Sequence, residues 1–545
     1  MNSIVITGNI CCPISKRIYA GAVFVENGII TRIEEQKVSS YNNYILPGLI
    51  DAHVHIESSL LAPSEFARGA VVHGTVATVS DPHEIGNVCG IEGVKFMIEN
   101  GKRVPFKFNF GASPCVPATT FETSGFTISP EEIEELLKSD DIKYMSEMMN
   151  YPGVLYEFPD VMRKIELAKK YNKPIDGHAP GLKGEQAKKY AEAGISTDHE
   201  CYSIDEALSK IEFGMKVIIR EGTAAKNFET LHPLLTSHPD YCMFCSDDKH
   251  PDDLLIGHIN KLIARAVAKG HYFFDVLRAA TFNPVKHYKL DVGLLQVGDP
   301  ADLTVINNLT DFEVISTYID GNLVYDNGKC LIDRVEIIPI NNFKCSPKIP
   351  SEFEVLSDSD ANVNVIDAIE GQLITQRSNA ILKSLNGKLE ADTNQDILKI
   401  SVVNRYENVK PAIAFIRNFG LKRGALASSV GHDSHNIIAV GTNDDDLAAA
   451  INLIIEHKGG LSVVDGNNKE ILPLPLAGLM CLDDVQTAGS KYTVLNKKTR
   501  ELGCTLHSPF MTASFMALLV IPSIKLSDKG LFDGNKFEFL ELLEK

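Results

Sequence analysis

Pro47-Gly48-Leu49-Ile50-Asp51-Ala52-His53-Val54-His55-Ile56-Glu57 is an apolar run that ends in two histidines spaced two residues apart. Residues i and i+2 of a strand share a face, so His53 and His55 present both imidazoles on one side at the strand's end. That geometry suits a metal ion. The plainer alternative, an alternating strand whose histidines are merely hydrogen-bonded, is open to any isolated His-x-His, so the decision rests on the rest of the chain.

Downstream of His55, apolar β-runs such as Val76-Ala77-Thr78-Val79-Ser80 alternate with helical stretches such as Pro130 to Lys138, where Ser129 reads as an N-cap and Glu131 and Glu132 as an acidic first turn. Alternating β and α segments over residues 47–293 imply a parallel sheet, and the length fits a (β/α)₈ TIM-like barrel. Upstream, Ile4 to Ile6, Ala22 to Val25 and Ile29 to Ile33 are short β-runs broken by Gly21 and the turn pair Asn27-Gly28. After Gly293 the β character returns in Ala301 to Ile306 and Val314 to Ile319, with Asp320-Gly321 as a hairpin turn. Residues 1–46 and 294–340 are therefore expected to build one small β-sandwich module from both flanks of the barrel. Residues 341–359, holding Pro347, Pro350 and several serines and acids, read as a linker. Residues 360–545 read as a C-terminal α/β domain, in which Asp444 to His457 is a helix capped by Thr442 or Asn443.

Catalytic groups of such barrels lie at the C-terminal ends of the strands and in the loops just after them. Asp81 and His83 follow the run ending at Ser80, Glu147 follows Ser146, and His178 follows Gly177. His199 and Glu200 follow Asp198, Arg220 and Glu221 follow Ile219, and Asp247 and Asp248 follow Ser246. A single polar residue at a strand end is commonly a cap or a solvated loop residue. Six successive strand ends bearing metal-ligand types are much harder to dismiss.

The composition narrows the partners. With 545 residues the chain exceeds the ~250–300 at which single cores stop growing, so several domains are expected. A formal net charge of −18 opposes nucleic acid or anionic membrane as a partner, and no basic patch offsets it. The first ten residues lack the pattern of a signal peptide, and the apolar stretch Phe515 to Ile521 is stopped by Pro522. Eleven cysteines without framework spacing read as reduced thiols, which favours a cytoplasmic location.

Together, Pro47 to His55, the later single histidines His178 and His199 and the strand-terminal Asp247 resemble the amidohydrolase superfamily of metal-dependent hydrolases. Within it, His55-Ile56-Glu57-Ser58-Ser59, Ser80 to Ile85, Glu147-Met148-Met149-Asn150, Asp176 to Pro180 and Cys245-Ser246-Asp247-Asp248 are similar to the bacterial-type adenine deaminases. The likeness runs nearly end to end, through Gly298-Asp299-Pro300-Ala301-Asp302 and on to Gly431-His432-Asp433-Ser434-His435-Asn436. It implies a divalent, binuclear metal centre, a small-molecule substrate, adenine, and, by analogy, a homo-oligomer, with a dimer favoured.

On this reading His53, His55, Glu147, His178, His199 and Asp247 are the metal ligands, an N/O-rich set without thiolate that suits Mn²⁺ or Fe²⁺ first and Zn²⁺ after them. Many relatives bridge two metals with a carboxylated lysine, but Glu147 stands at the matching strand end here. Lys143, four residues earlier, faces the other way only if the strand is kinked, and it ranks below Glu147. A metal lowers the pKa of bound water from 15.7 to about 7. The hydroxide so formed would add to C6 of adenine, with hypoxanthine and ammonia as products. Asp247 is then ligand and base, while Glu200, Glu221 and His83 are candidates for proton transfer. Glu57, Ser58, Asp81, Arg220, Asp248, His432 and His435 are candidates for substrate binding, His432 and His435 by way of a C-terminal loop reaching the barrel mouth.

One decoy falls away. Unrelated zinc deaminases carry His-x-Glu followed by Pro-Cys-x-x-Cys, and this chain has His55-Ile56-Glu57 and Cys242-Met243-Phe244-Cys245. Residue 241 is Tyr, and the cysteines sit in an apolar β-run where Cys behaves as a small hydrophobe. Two other functions compete with adenine deamination: hydrolysis of a cyclic amide or other amino-heterocycle, which a bridging lysine would favour, and a catalytically dead scaffold, which lost ligands would mark.

Overall fold

The computed structural model describes residues 3–37 and 40–544; residues 1, 2, 38, 39 and 545, which belong to the expected β-module and C-terminal domain, lie outside the described residues. Eight parallel strands form the barrel: β1 (Leu49–Val54), β2 (Thr75–Ser80), β3 (Lys107–Ala112), β4 (Ile142–Met148), β5 (Ile175–Gly177), β6 (Thr197–Asp198), β7 (Lys216–Arg220) and β8 (Cys242–Cys245). β1 through β5 pair in sequence order, as do β6 through β8. Between β5 and β6 the pairing thins to single bonds such as Ser196 N–H to Ile175 O, 2.9 Å. The ring closes between β8 and β1 through a parallel bridge of Val54 with Asp247. Asp247 N–H donates to His53 O at 3.0 Å and His55 N–H to Asp247 O at 3.4 Å, so the residues read as metal ligands also stitch the barrel shut.

The two flanks build one module, an eight-stranded sheet that takes strands from both sides of the barrel. The N-terminal strand Ser3–Cys12 pairs with Tyr44–Pro47, which pairs in turn with Leu303–Ile306 from the far side of the barrel. The sheet wraps one core, in which Ile10, Val23, Val25 and Ile45 meet Leu295, Leu303 and Val305.

The C-terminal part is built on a second eight-stranded sheet, with the helix Asp444–His457 packed on one face through Leu447, Ile451 and Ile454. Of the two N-cap candidates, Asn443 is the cap, accepting from Asp446 N–H at 2.8 Å. Ser129 likewise closes a capping box with Glu132 at the start of Pro130–Lys138. The expected linker is no loose tether. Residues 331–349 lack regular structure but are tied down, as by Asn341 Nδ2 to Lys458 O at 2.7 Å and Lys344 N–H to Arg405 O at 2.7 Å, and a short 3₁₀ turn (Pro350–Phe353) follows.

The C-terminal part lies against the barrel loops. Cys481 N–H donates to Leu60 O at 2.8 Å, Asn436 Nδ2 to Thr123 O at 2.8 Å, and Thr123 N–H to Asp528 Oδ1 at 2.9 Å. The barrel and this part share one continuous apolar core. No helix among the described residues is long and apolar enough to cross a membrane.

Candidate metal centre

The first ligand group comes from β1 and the turn after β8. His53 Nε2 and His55 Nε2 lie 3.2 Å apart, which confirms that the two rings share a face. Asp247 Oδ1 is 3.4 Å from the first and 3.2 Å from the second. Asp247 adopts a left-handed backbone (φ 51°), a conformation that Asp tolerates better than most residues, and its other oxygen, Oδ2, takes Arg220 Nη1 at 2.7 Å.

Glu147 joins this group to a second. Its Oε1 lies 3.4 Å from His55 Nε2, and its Oε2 lies 2.8 Å from His178 Nδ1 and 3.2 Å from His199 Nε2. The kink required to separate Lys143 from Glu147 is present: the β4–β5 register shifts between Met145 and Met148. Lys143 is exposed and its ammonium caps Asp140 O at 2.7 Å.

These spacings fit divalent cations. Donors about 2.1 Å from one metal stand about 3.0 Å apart on an octahedral edge and about 3.4 Å apart on a tetrahedral one. The Glu147 contacts to His55 (3.4 Å) and His199 (3.2 Å) fall in that range, the one to His178 is shorter at 2.8 Å, and all six residues are buried. Two facing imidazole Nε2 lone pairs need a cation or a shared proton between them, and the set contains no thiolate. His53, His55 and Asp247 on one side, and His178 and His199 on the other, could each hold an ion with Glu147 between.

The electrostatics agree. Burial alone would raise the Glu147 carboxyl, but His178 and His199 hold it well below the usual carboxylate range. Burial is likewise outweighed at Asp247 by Arg220 and the His53 and His55 rings, and at Glu200 by Arg220 and His178. Glu200 Oε1 stands 3.5 Å from His199 Nε2 and 3.7 Å from His178 Nδ1, while its Oε2 accepts from Arg220 Nη2 at 3.1 Å.

A cavity opens above this cluster, lined by His83, Glu84, Glu200, Arg220, Asp247 and Asp248 from the barrel and by Leu373, His432, Asp433, Phe515 and Leu518 from the C-terminal part. The loop of His432 therefore does reach the barrel mouth. The remaining sequence candidates stand one layer back. Asp81 sits behind His83, with its Oδ2 3.1 Å from His83 Nδ1 and its Oδ1 accepting from Ser113 Oγ at 2.7 Å. Ser58 Oγ donates to Asp248 Oδ1 at 2.5 Å. Glu57 Oε1 caps Ile85 N–H at 3.1 Å, and burial beside Glu84 pushes its carboxyl up to about 7. His435 contacts the far side of Glu84 and does not line the cavity.

Glu221 is not brought to the cluster. It pairs with Arg265 at 2.7 Å outside the barrel, because Arg220 and Glu221 are consecutive and only one of them can face the axis. Cys242 and Cys245 are buried in β8, and burial pushes both thiols up, against thiolate ligation. Sequence reading missed Glu84, whose neighbour His83 was the visible signal.

An amidohydrolase family profile matches residues 44–324, and one for the adenine deaminase C-terminal domain matches residues 372–538. The chain belongs to the amidohydrolase family, in its adenine deaminase branch. Within the branch it is 54% identical to an adenine deaminase of Sulfurovum sp. (strain NBC37-1), over 96% of this chain and 97% of that one. It is 51% identical to the adenine deaminase of Methanosarcina mazei, over 98% of each chain, and 49% identical to that of Borreliella burgdorferi, over 97% of each. The family is that of metal-dependent hydrolases, in keeping with the His/Asp/Glu cluster.

Proposed function

We propose that the chain converts adenine and water to hypoxanthine and ammonia. The observation that carries this is the composite cavity: the convergent His/Asp/Glu cluster forms its floor, and the part of the chain matched by the adenine deaminase C-terminal domain forms its roof. His53, His55, Glu147, His178, His199 and Asp247 would hold a divalent pair, which when bound would lower the pKa of a water toward neutrality; Mn²⁺ or Fe²⁺ suits the N/O donors best, with Zn²⁺ the alternative.

The chain's own groups then do the following. Arg220 orients Asp247 by holding Oδ2, so that Oδ1 faces the reacting water and takes its proton. Glu200, whose carboxylate faces both His178 and His199, and His83 pass protons toward the departing amine. Asp248 accepts from a purine N–H, with Ser58 holding the carboxylate. The C-terminal residues Leu373, Phe515 and Leu518 add apolar walls to the cavity. Supporting a cytoplasmic location, all eleven cysteines are free. A homodimer and the division into 1–46 with 294–340, 47–293 and 360–545 belong to the same proposal.

The test is a substrate panel. Metal-reconstituted protein is offered adenine, adenosine, cytosine, guanine, dihydroorotate and hydantoin, with ammonia release and ring opening followed. Ammonia from adenine is expected; turnover of another member without adenine overturns the proposal.

A further inference from the structure

Glu84, in the first turn of the helix His83–Gly101, is almost fully buried and carries no role in the reading above. It stands between two histidines of the C-terminal part: His432 Nδ1 lies 2.8 Å from Oε1, and His435 Nε2 contacts Oε2. The His432 ring is held on its face as well, stacked on Phe515 with centroids 5.0 Å apart and planes 24° from parallel. Its backbone is pinned by His432 N–H to Ser514 O at 3.2 Å. With Nδ1 committed to Glu84, Nε2 is the ring atom without a protein partner among the described residues, on a ring that lines the cavity.

Apart from the imidazoles that serve the metal centre and proton transfer, His83 among them, the cavity is rich in acceptors and poor in donors. Glu84, Glu147, Glu200, Asp247, Asp248 and Asp433 offer carboxylate oxygens, whereas Arg220 spends Nε on Ala225 O, Nη1 on Asp247 and Nη2 on Glu200. A neutral purine base presents ring nitrogens whose in-plane lone pairs need donors. Carboxylates serve its N–H groups but not these. Burial disfavours a charged His432, but Glu84, Asp433 and Asp248 outweigh it and keep the ring protonated.

We infer that Glu84 and His432 form a carboxylate–imidazole pair across the domain boundary, in which Glu84 aligns the ring and Nε2–H donates to a ring nitrogen of the purine. Glu84 is the positioning residue and His432 the substrate contact. The inference rests on the proposed adenine reading. It makes the C-terminal part a component of the substrate site, with Glu84 recruiting it.

The test is chemical rescue in the metal-loaded full chain. His432→Ala opens a ring-sized space beside an intact Glu84, which His435 still holds. It is expected to lower kcat/KM for adenine by roughly 10- to 100-fold, the usual cost of one hydrogen bond to a charged group, with the wild-type number of metal ions retained. Added imidazole is expected to restore roughly 10-fold in His432→Ala and nothing in the Glu84→Gln/His432→Ala double variant, because the amide no longer orients the added ring. Wild-type turnover with unchanged kcat/KM in His432→Ala overturns the pair, as does rescue that Glu84→Gln leaves intact. Loss of a metal equivalent in His432→Ala also overturns it, by making the cluster a third ion site. Absence of wild-type turnover on adenine instead sinks the parent reading and the pair with it. Should the double variant fail to fold, Glu84→Asp serves in its place: the shorter carboxylate is expected to retain partial rescue, and full rescue counts against alignment.

Discussion

Gly48 precedes β1 by one residue, and its replacement tests how tightly the opening stretch is built. A Cβ at Gly48 would lie 2.5 Å from Val76 Cγ1 and 2.9 Å from Val76 Cβ, and closer still to Cγ2. Carbon atoms in contact sit about 3.5–4.0 Å apart, so the overlap is about 1 Å against a side chain that is fully buried on β2. Neither strand can yield without moving the β1–β2 ladder, and such overpacking costs about 1–3 kcal/mol. The displacement also reaches His53 and His55, five and seven residues on, where a shift of about 1 Å can cost about 100-fold in rate. Gly48→Ala is therefore expected to lower both the urea midpoint of inactivation and kcat/KM. Val76→Ala alone removes two buried methyls, worth about 1.5 kcal/mol. In the double variant the two changes are expected to couple favourably by about 1 kcal/mol or more, since the closest clashes disappear. Gly48→Ala with wild-type midpoint and turnover, or strict additivity in the double variant, would refute the reasoning.

Three further outcomes are expected. Asp247→Asn should cut kcat by about 100-fold or more, because it removes the base and a ligand charge together; normal turnover with full metal content would sink that double role. Glu221→Gln should leave kcat/KM within about 2-fold and stability within about 1 kcal/mol, since Glu221 pairs, among the described residues, with the partly exposed Arg265; a large loss of activity would reinstate it in the site. Burial, helped by His258, pushes His73 down to about 3, and burial with Lys216 pushes His287 down to about 4. Both are neutral when folded and gain a proton on unfolding below about pH 6.5, so stability falls as pH drops from about 6.5 toward 4, by about 1.4 kcal/mol per pH unit for each ring. Urea unfolding of His287→Asn across that range should show a shallower slope; an unchanged slope counts against a half-buried ring that is neutral when folded.

Local patterns were readable where the chemistry is local. The His53-Val54-His55 spacing fixes two rings on one face, Ser129 and Asn443 cap the helices they precede, and Glu147 follows an apolar run. Strand-end reading failed at Glu221 because it cannot separate adjacent residues that point to opposite sides, and there Arg220 took the inward position. It undervalued the linker, whose Asn341 and Lys348 side chains are spent on hydrogen bonds to the C-terminal part. Glu84 was invisible for a different reason. Its meaning comes from His432 and His435, some 350 residues away, and only the packing of the C-terminal part on the barrel brings them together.

The central claim is that adenine is deaminated at one centre built from His53, His55, Glu147, His178, His199 and Asp247. Its most direct test is titration of metal-stripped protein with Mn²⁺ while ammonia release from adenine is followed. Activity should be absent at the start and rise to a plateau at two equivalents per chain. Turnover by the metal-free protein, or a plateau that Glu147→Gln reaches at the same equivalence and the same height, would contradict it.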